Sequence, residues 1–162
     1  MSTPKRIVID FREHASAADL QEADRALLQH AHAAALKAYA PYSNFLVGAA
    51  LRMSTRQVVT GNNQENASYP AGICAERTAL HGAMSQDPGA VVEVMAIVVP
   101  SITGQRPVSP CGICRQALLE QELRQRPTPM RILMAVPNGP VLELGTAGDL
   151  LPLSFDASFL TS

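Results

Sequence analysis

The sequence predicts an α/β protein, a three-layer α/β/α sandwich around a mixed sheet of about five strands. Three observations predict it. Stretches with helical apolar spacing alternate with short β-rich runs, as in sheets covered by helices on both faces. The first two runs and the last two are joined by links so short that each pair must be antiparallel. Between them, Ala90 to Val99 is a Val, Ile, Met and Ala run broken only by Glu93, the pattern of a central strand buried on both sides. A chain of 162 residues, 47% hydrophobic and 17% charged, makes one globular domain with its own core.

Residues 1–15 read as a leader, and residues 16–162 as the single folded domain. Ser16 and Asp19 form a capping-box pattern ahead of a helix whose Leu20, Leu27, Ala31, Ala35 and Ala38 share one face. Pro41 stops it. Phe45 to Met53 and Val58 to Asn63 read as a strand pair linked by residues 54–57. A helix is expected from about Ile73 to Met84. A polar loop at 101–109 leads to another from about Pro110 to Leu123, where proline's missing N–H costs nothing. Arg131 to Val136 and Val141 to Leu144 make the last pair around Pro137-Asn138-Gly139-Pro140, and Gly145 to Phe155 holds a short helix and loop.

The formal net charge is −1, with no block of Lys and Arg, which disfavours a nucleic-acid partner. No apolar run approaches the roughly 20 residues of a membrane span, and charges fall too early for a signal-peptide core. A cytoplasmic location follows as the expectation. In that reducing compartment three cysteines point to metal binding or catalysis, not to a disulfide framework.

All three cysteines fall in two motifs, Cys74-Ala75-Glu76-Arg77 and Pro110-Cys111-Gly112-Ile113-Cys114. Cys111 and Cys114, three apart at a helix start, present their sulfurs on one face. Cys74 opens the other helix, and two helix N-termini meeting at one point favour thiolates. Three protein ligands are the number a catalytic zinc takes, leaving one position open, whereas structural sites close with four. His81 lies about 10 Å further along its helix than Cys74 at 1.5 Å per residue, too far to share the ion. His14, His30 and His32 lie outside any motif. A zinc there would lower the pKa of bound water from about 15.7 towards 7, although three thiolates exceed its charge by one unit. Arg77, one turn after Cys74, is placed to donate to a ligand sulfur and offset that excess. Glu76 is the candidate to move protons. Taken alone, Cys-x-x-Cys equally suits a thioredoxin-like redox pair.

Cys-Ala-Glu upstream of Pro-Cys-x-x-Cys is the arrangement of the zinc nucleobase deaminases. With it, the chain resembles the cytidine deaminases of the short, homotetrameric type. Residues 40–51, 61–80, 109–118 and 150–155 resemble that family's characteristic blocks in order. The resemblance implies a cytidine deaminase-like fold and hydrolytic deamination of cytidine, and of deoxycytidine, in pyrimidine salvage. It implies one zinc per chain on Cys74, Cys111 and Cys114, with Glu76 as the proton shuttle and Arg77 behind the ligands. Asn63 and Glu65 would bind the ribose, as residues two apart on an extended strand facing one side. Phe45 would flank the pyrimidine, the Ala75 backbone would meet its edge, and Phe155 would enter a neighbouring subunit's pocket. Gln64 departs from the family, which has an apolar β-branched residue there. Competing readings are a deaminase of another aminopyrimidine, such as an antibiotic, and a zinc or redox module without hydrolytic chemistry.

Overall fold

The computed structural model describes residues 2–104 and 106–160. The last two residues of the predicted domain and Gln105 of the predicted loop lie outside them. In chain order the elements are β1 (Phe11–His14), α1 (Glu22–Ala35), β2 (Gly48–Met53), β3 (Val58–Asn62), α2 (Ala75–Gln86), β4 (Val92–Val98), α3 (Gly112–Arg124), β5 (Arg131–Ala135) and β6 (Val141–Leu144).

The strands form one six-stranded sheet in the order β1-β6-β5-β4-β2-β3. Among the strands of the described residues, only β4 and β5 run parallel, with α3 as the crossover that a parallel pair requires. The pairs β2–β3 and β5–β6 are the expected antiparallel hairpins. Period-two alternation divides the core in two. Met95 and Ile97 of β4, with Ile132 and Met134 of β5, face α2 and α3. Val94, Ala96, Leu133 and Ala135 face Leu27, Leu28 and Ala31 of α1. The three layers are therefore α1, the sheet, and the α2–α3 pair.

Two glycines let the helices come close. A Cβ on Gly48 would meet the backbone of Ala31 and Ala35 in α1, and one on Gly61 would stand 2.6 Å from the Ala75 carbonyl oxygen in α2. Gly48 pairs with Asn62 and Gly61 with Ala49, so the two bare positions lie side by side and open on opposite faces.

Several expectations are corrected. Phe11–His14, assigned to the leader, pairs antiparallel with β6 and makes a sixth, edge strand; a short strand with alternating charges on an exposed edge carries little apolar pattern to reveal it. The Ser16–Asp19 capping box is present, but it caps a single 3-10 turn at Ala17–Asp19, and α1 begins only after Gln21, which is extended. That detour buries Leu20 against the sheet. Strand β2 starts at Gly48, not Phe45, because side chains of the neighbouring segment take over the backbone groups of residues 45–47.

Candidate active site

Cys74 is the N-cap of α2 and Cys111 the N-cap of α3, while Cys114 lies in the first turn of α3. The converging helix starts bring the three sulfurs within 4.8 Å of one another. Cys74 Sγ is 3.8 Å from Cys111 Sγ, and Cys111 Sγ is 3.6 Å from Cys114 Sγ. Tetrahedral zinc with Zn–S of about 2.3 Å separates its sulfur ligands by about 3.8 Å, so the donor set fits the ion in both chemistry and spacing. The cluster is consistent with one zinc per chain. His81 takes no part in it.

The local field favours the thiolate at Cys74 and the thiol at Cys114. The Cys74 thiol is held down at about 5, first by the hydrogen bond from Cys114 and then by Arg77, against the opposing effect of burial. Cys114 is pushed up because it donates to Cys74, because it is buried, and because Glu76 is near. Arg77 Nη2 is 3.9 Å from Cys74 Sγ, where the charge of three thiolates calls for a donor. Its Nε is buried without a hydrogen-bond partner among the described residues.

Glu76 is 5% exposed, and burial raises its carboxyl above the ordinary range, with the negative charge of Cys74 adding to the effect. It lies in the wall of a cavity of about 740 Å³, together with Cys74 and Cys111. A general acid and base near a metal site needs such a lifted carboxyl, since it must hold a proton as readily as it gives one up.

The opposite end of the cavity is polar. Asn63 and Glu65 both line it, although β3 has ended at Asn62 and their placement comes from Gln64, which bridges Tyr39 on one side and Ile73 on the other. Asn63 Oδ1 accepts the Val47 N–H at 2.7 Å and its Nδ2 donates to the Phe45 carbonyl at 2.9 Å. Glu65 accepts from the N–H groups of Tyr42 and Ser43 at 2.9 and 3.3 Å and from the Ser43 hydroxyl, contacts that hold its carboxyl below the usual range, the hydroxyl's first. An amide has two donors and two acceptor sites and a carboxylate about four, so each side chain keeps capacity for a ligand.

Known proteins match this arrangement. The family model for the cytidine and deoxycytidylate deaminase zinc-binding region matches residues 21–127. A cytidine deaminase of Halalkalibacterium halodurans is 43% identical over 131 residues, covering 81% of this chain and 92% of the relative. The chain belongs to the cytidine deaminase family. The crystal structure of the Burkholderia pseudomallei cytidine deaminase superposes with a TM-score of 0.70 at 44% identity, covering 80% of this chain and 97% of that one. That of the Mycobacterium tuberculosis cytidine deaminase does so with a TM-score of 0.61 at 36% identity, covering 81% and 95%. Zinc-dependent deaminase chemistry follows from this membership and from the three-cysteine cluster.

Against the family pattern, the remaining residues fall as follows. Phe45 is partly exposed and lines the cavity. Ala75 is fully buried at the first position of α2, where its N–H has no intrahelical acceptor, and it is not among the described residues that line the cavity. The departing Gln64 donates to Asn62 Oδ1 at 2.6 Å. Phe155 is 58% exposed, stacks on Phe159 with ring centroids 5.8 Å apart, and does not line its own chain's cavity. Sequence reasoning missed Tyr42, Ser43 and Tyr69 at the polar end. The two tyrosine rings meet edge to face at 6.1 Å. Tyr42 and Ser43 lie within the 40–51 block, and the signal that could have found them is the turn that Pro41 imposes immediately before.

Proposed function

We propose that this protein converts cytidine and deoxycytidine, with water, to the uracil nucleosides and ammonia, with Glu76 as the group that moves the protons. Cys74, Cys111 and Cys114 would hold a zinc ion, which when bound would activate a water in a position open to substrate. Addition of that water at ring carbon 4 requires a proton on ring nitrogen 3, and loss of the amino group requires a second proton on the departing nitrogen. Glu76, buried in the cavity wall beside the cysteines, would take the first proton from the attacking water and the second from the carbon-4 hydroxyl as it becomes the carbonyl, and hand each on. Phe45 lies against the pyrimidine, the Ala75 backbone meets its edge, and Asn63 and Glu65 take the sugar hydroxyls with their remaining sites.

One observation carries the choice of a nucleoside. Among the described residues lining the cavity, the only cation is Arg77, which turns to Cys74, and the polar end carries the carboxylate of Glu65. A 5′-phosphate would need Arg or Lys there and would instead meet a negative charge. The falling ultraviolet absorbance of the cytosine ring tests this. Cytidine and deoxycytidine should be turned over, and deoxycytidylate and free cytosine about 100-fold or more slowly. A comparable rate for deoxycytidylate would overturn the nucleoside reading.

The exposure of Phe155 suits a residue that completes a neighbouring chain's pocket, and with the resemblance to the short homotetrameric deaminases it supports our proposal of a homotetramer. A solution mass of one chain in an active enzyme would refute it. The catalytic domain begins with β1 at Phe11, which adds an edge strand to the sheet, and none of the described residues before Ser16 lines the cavity. No described helix is long and apolar enough to cross a membrane. With three free thiols at the site, the reducing cytoplasm is the proposed compartment.

A further inference from the structure

The Ser43 hydroxyl stands between two groups that the proposed function places on the substrate. It donates to Glu65 Oε1 and accepts the Phe45 N–H at 3.0 Å. Residues 42–47 have no strand ladder, because β2 begins at Gly48. Asn44 reverses the chain in a left-handed conformation at φ 55°. Besides backbone bonds from Asn44 N–H to the Ala40 carbonyl and from Asn63 N–H to the Val47 carbonyl, the segment is held by side chains: Glu65 on Tyr42 and Ser43, Asn63 on Phe45 and Val47, and Ser43 joining the two sets.

We propose that Ser43 is a positioning residue, whose hydroxyl sets the free site of Glu65 towards the sugar and the Phe45 ring against the base in a single adjustment. A hydroxyl-to-carboxylate hydrogen bond is charge-assisted and directional; the two N–H groups occupy Oε2 and the hydroxyl takes one site of Oε1, so the site left for a ligand is on the oxygen that Ser43 holds. Because the segment is exposed, water can replace the lost contacts when the hydroxyl is removed. The cost therefore falls on geometry and binding more than on folding.

This inference rests on the reading that Glu65 binds the sugar, and the test separates the two. Kinetics with cytidine are compared for wild type, Ser43→Ala, Ser43→Thr, Glu65→Gln and the double variant Ser43→Ala/Glu65→Gln, with zinc content and melting temperature measured alongside. Ser43→Ala should raise KM on the order of tenfold while kcat stays within about threefold, as for loss of a binding contact of charged-hydrogen-bond strength. Ser43→Thr, which keeps the hydroxyl, should recover most of the loss. The double variant should have the KM of Glu65→Gln alone, since residues acting through one another do not add. Additive KM losses, or a Ser43→Ala defect confined to kcat or to melting temperature, would overturn the positioning role and leave the sugar assignment intact. An unchanged KM in Glu65→Gln would strike the sugar assignment itself and remove the role of Ser43 with it.

Discussion

Glu76 and Cys74 are two residues apart and do opposite electrostatic work. Burial lifts the Glu76 carboxyl, while Cys74 is pulled down as a thiolate by Cys114 and Arg77. The geometry keeps them distinct, with the sulfur at the N-cap of α2 and the carboxylate inside its first turn. A substitution confined to the carboxylate should therefore separate metal binding from proton movement. Glu76→Gln keeps shape and burial, leaves all three sulfurs in place, and removes only the titrating group. It should retain one zinc per chain by metal analysis and lose about 10³-fold or more in kcat, at the upper range for general acid–base catalysis. Substantial residual turnover would mean that another group moves the proton.

At the scale of elements, the layers position the site through two glycines. Gly61 lets α2 approach β3, and so places Cys74, Glu76 and Arg77; Gly48 lets α1 approach β2 on the face away from the zinc site. A methyl group at either position meets backbone, which cannot rotate aside. Gly61→Ala and Gly48→Ala should each cost about 1–3 kcal/mol in urea unfolding, the usual range for overpacking. Only Gly61→Ala should also lower kcat strongly, because it displaces the helix start that carries Cys74 and Glu76, the proposed ligand and proton carrier; equal kinetic damage from both would refute this division. Such close approaches are invisible in a single sequence, where Gly48 and Gly61 look like ordinary strand residues. The elements themselves were legible because β4 is apolar but for Glu93 and the hairpin links are short. Cys74, Glu76, Cys111 and Cys114 stood out because their chemistry is local to two motifs. What escaped was non-local. Edge strand β1 depends on a partner about 130 positions away, and the 42–47 segment depends on side chains of residues 63 and 65.

Across the whole molecule, the same kind of non-local pairing builds a charged row on the α1 side of the sheet. Asp24, in the first turn of α1 and almost wholly buried, accepts from Arg52 of β2 and Arg131 of β5, both at 2.8 Å. Arg131 also donates to Glu143 of β6, which in turn meets His14 of β1 at 2.8 Å. The row thus ties α1 to four strands, including the added edge. Burial would raise both carboxyls, but the hydrogen bonds outweigh it: Arg131 and Arg52 hold Asp24 below its ordinary range, as His14 and Arg131 do Glu143. The sign of the pH effect follows. Carboxyls lowered in the folded state bind fewer protons there than in the unfolded chain, so stability rises with pH between the two values. Their contribution is complete above the ordinary carboxylate range of about 4 and is lost as pH falls through the lowered folded values. Asp24→Asn should cost about 3 kcal/mol near pH 7, since it leaves two arginines facing a neutral group in a buried setting. The stability difference between wild type and Asp24→Asn, which cancels effects common to both such as zinc loss in acid, should stay level from pH 8 to 5. It should shrink steadily below about pH 4. Urea unfolding at each pH measures it, and a difference that persists undiminished at pH 2 would show that Asp24 stabilises the fold by packing and not by charge.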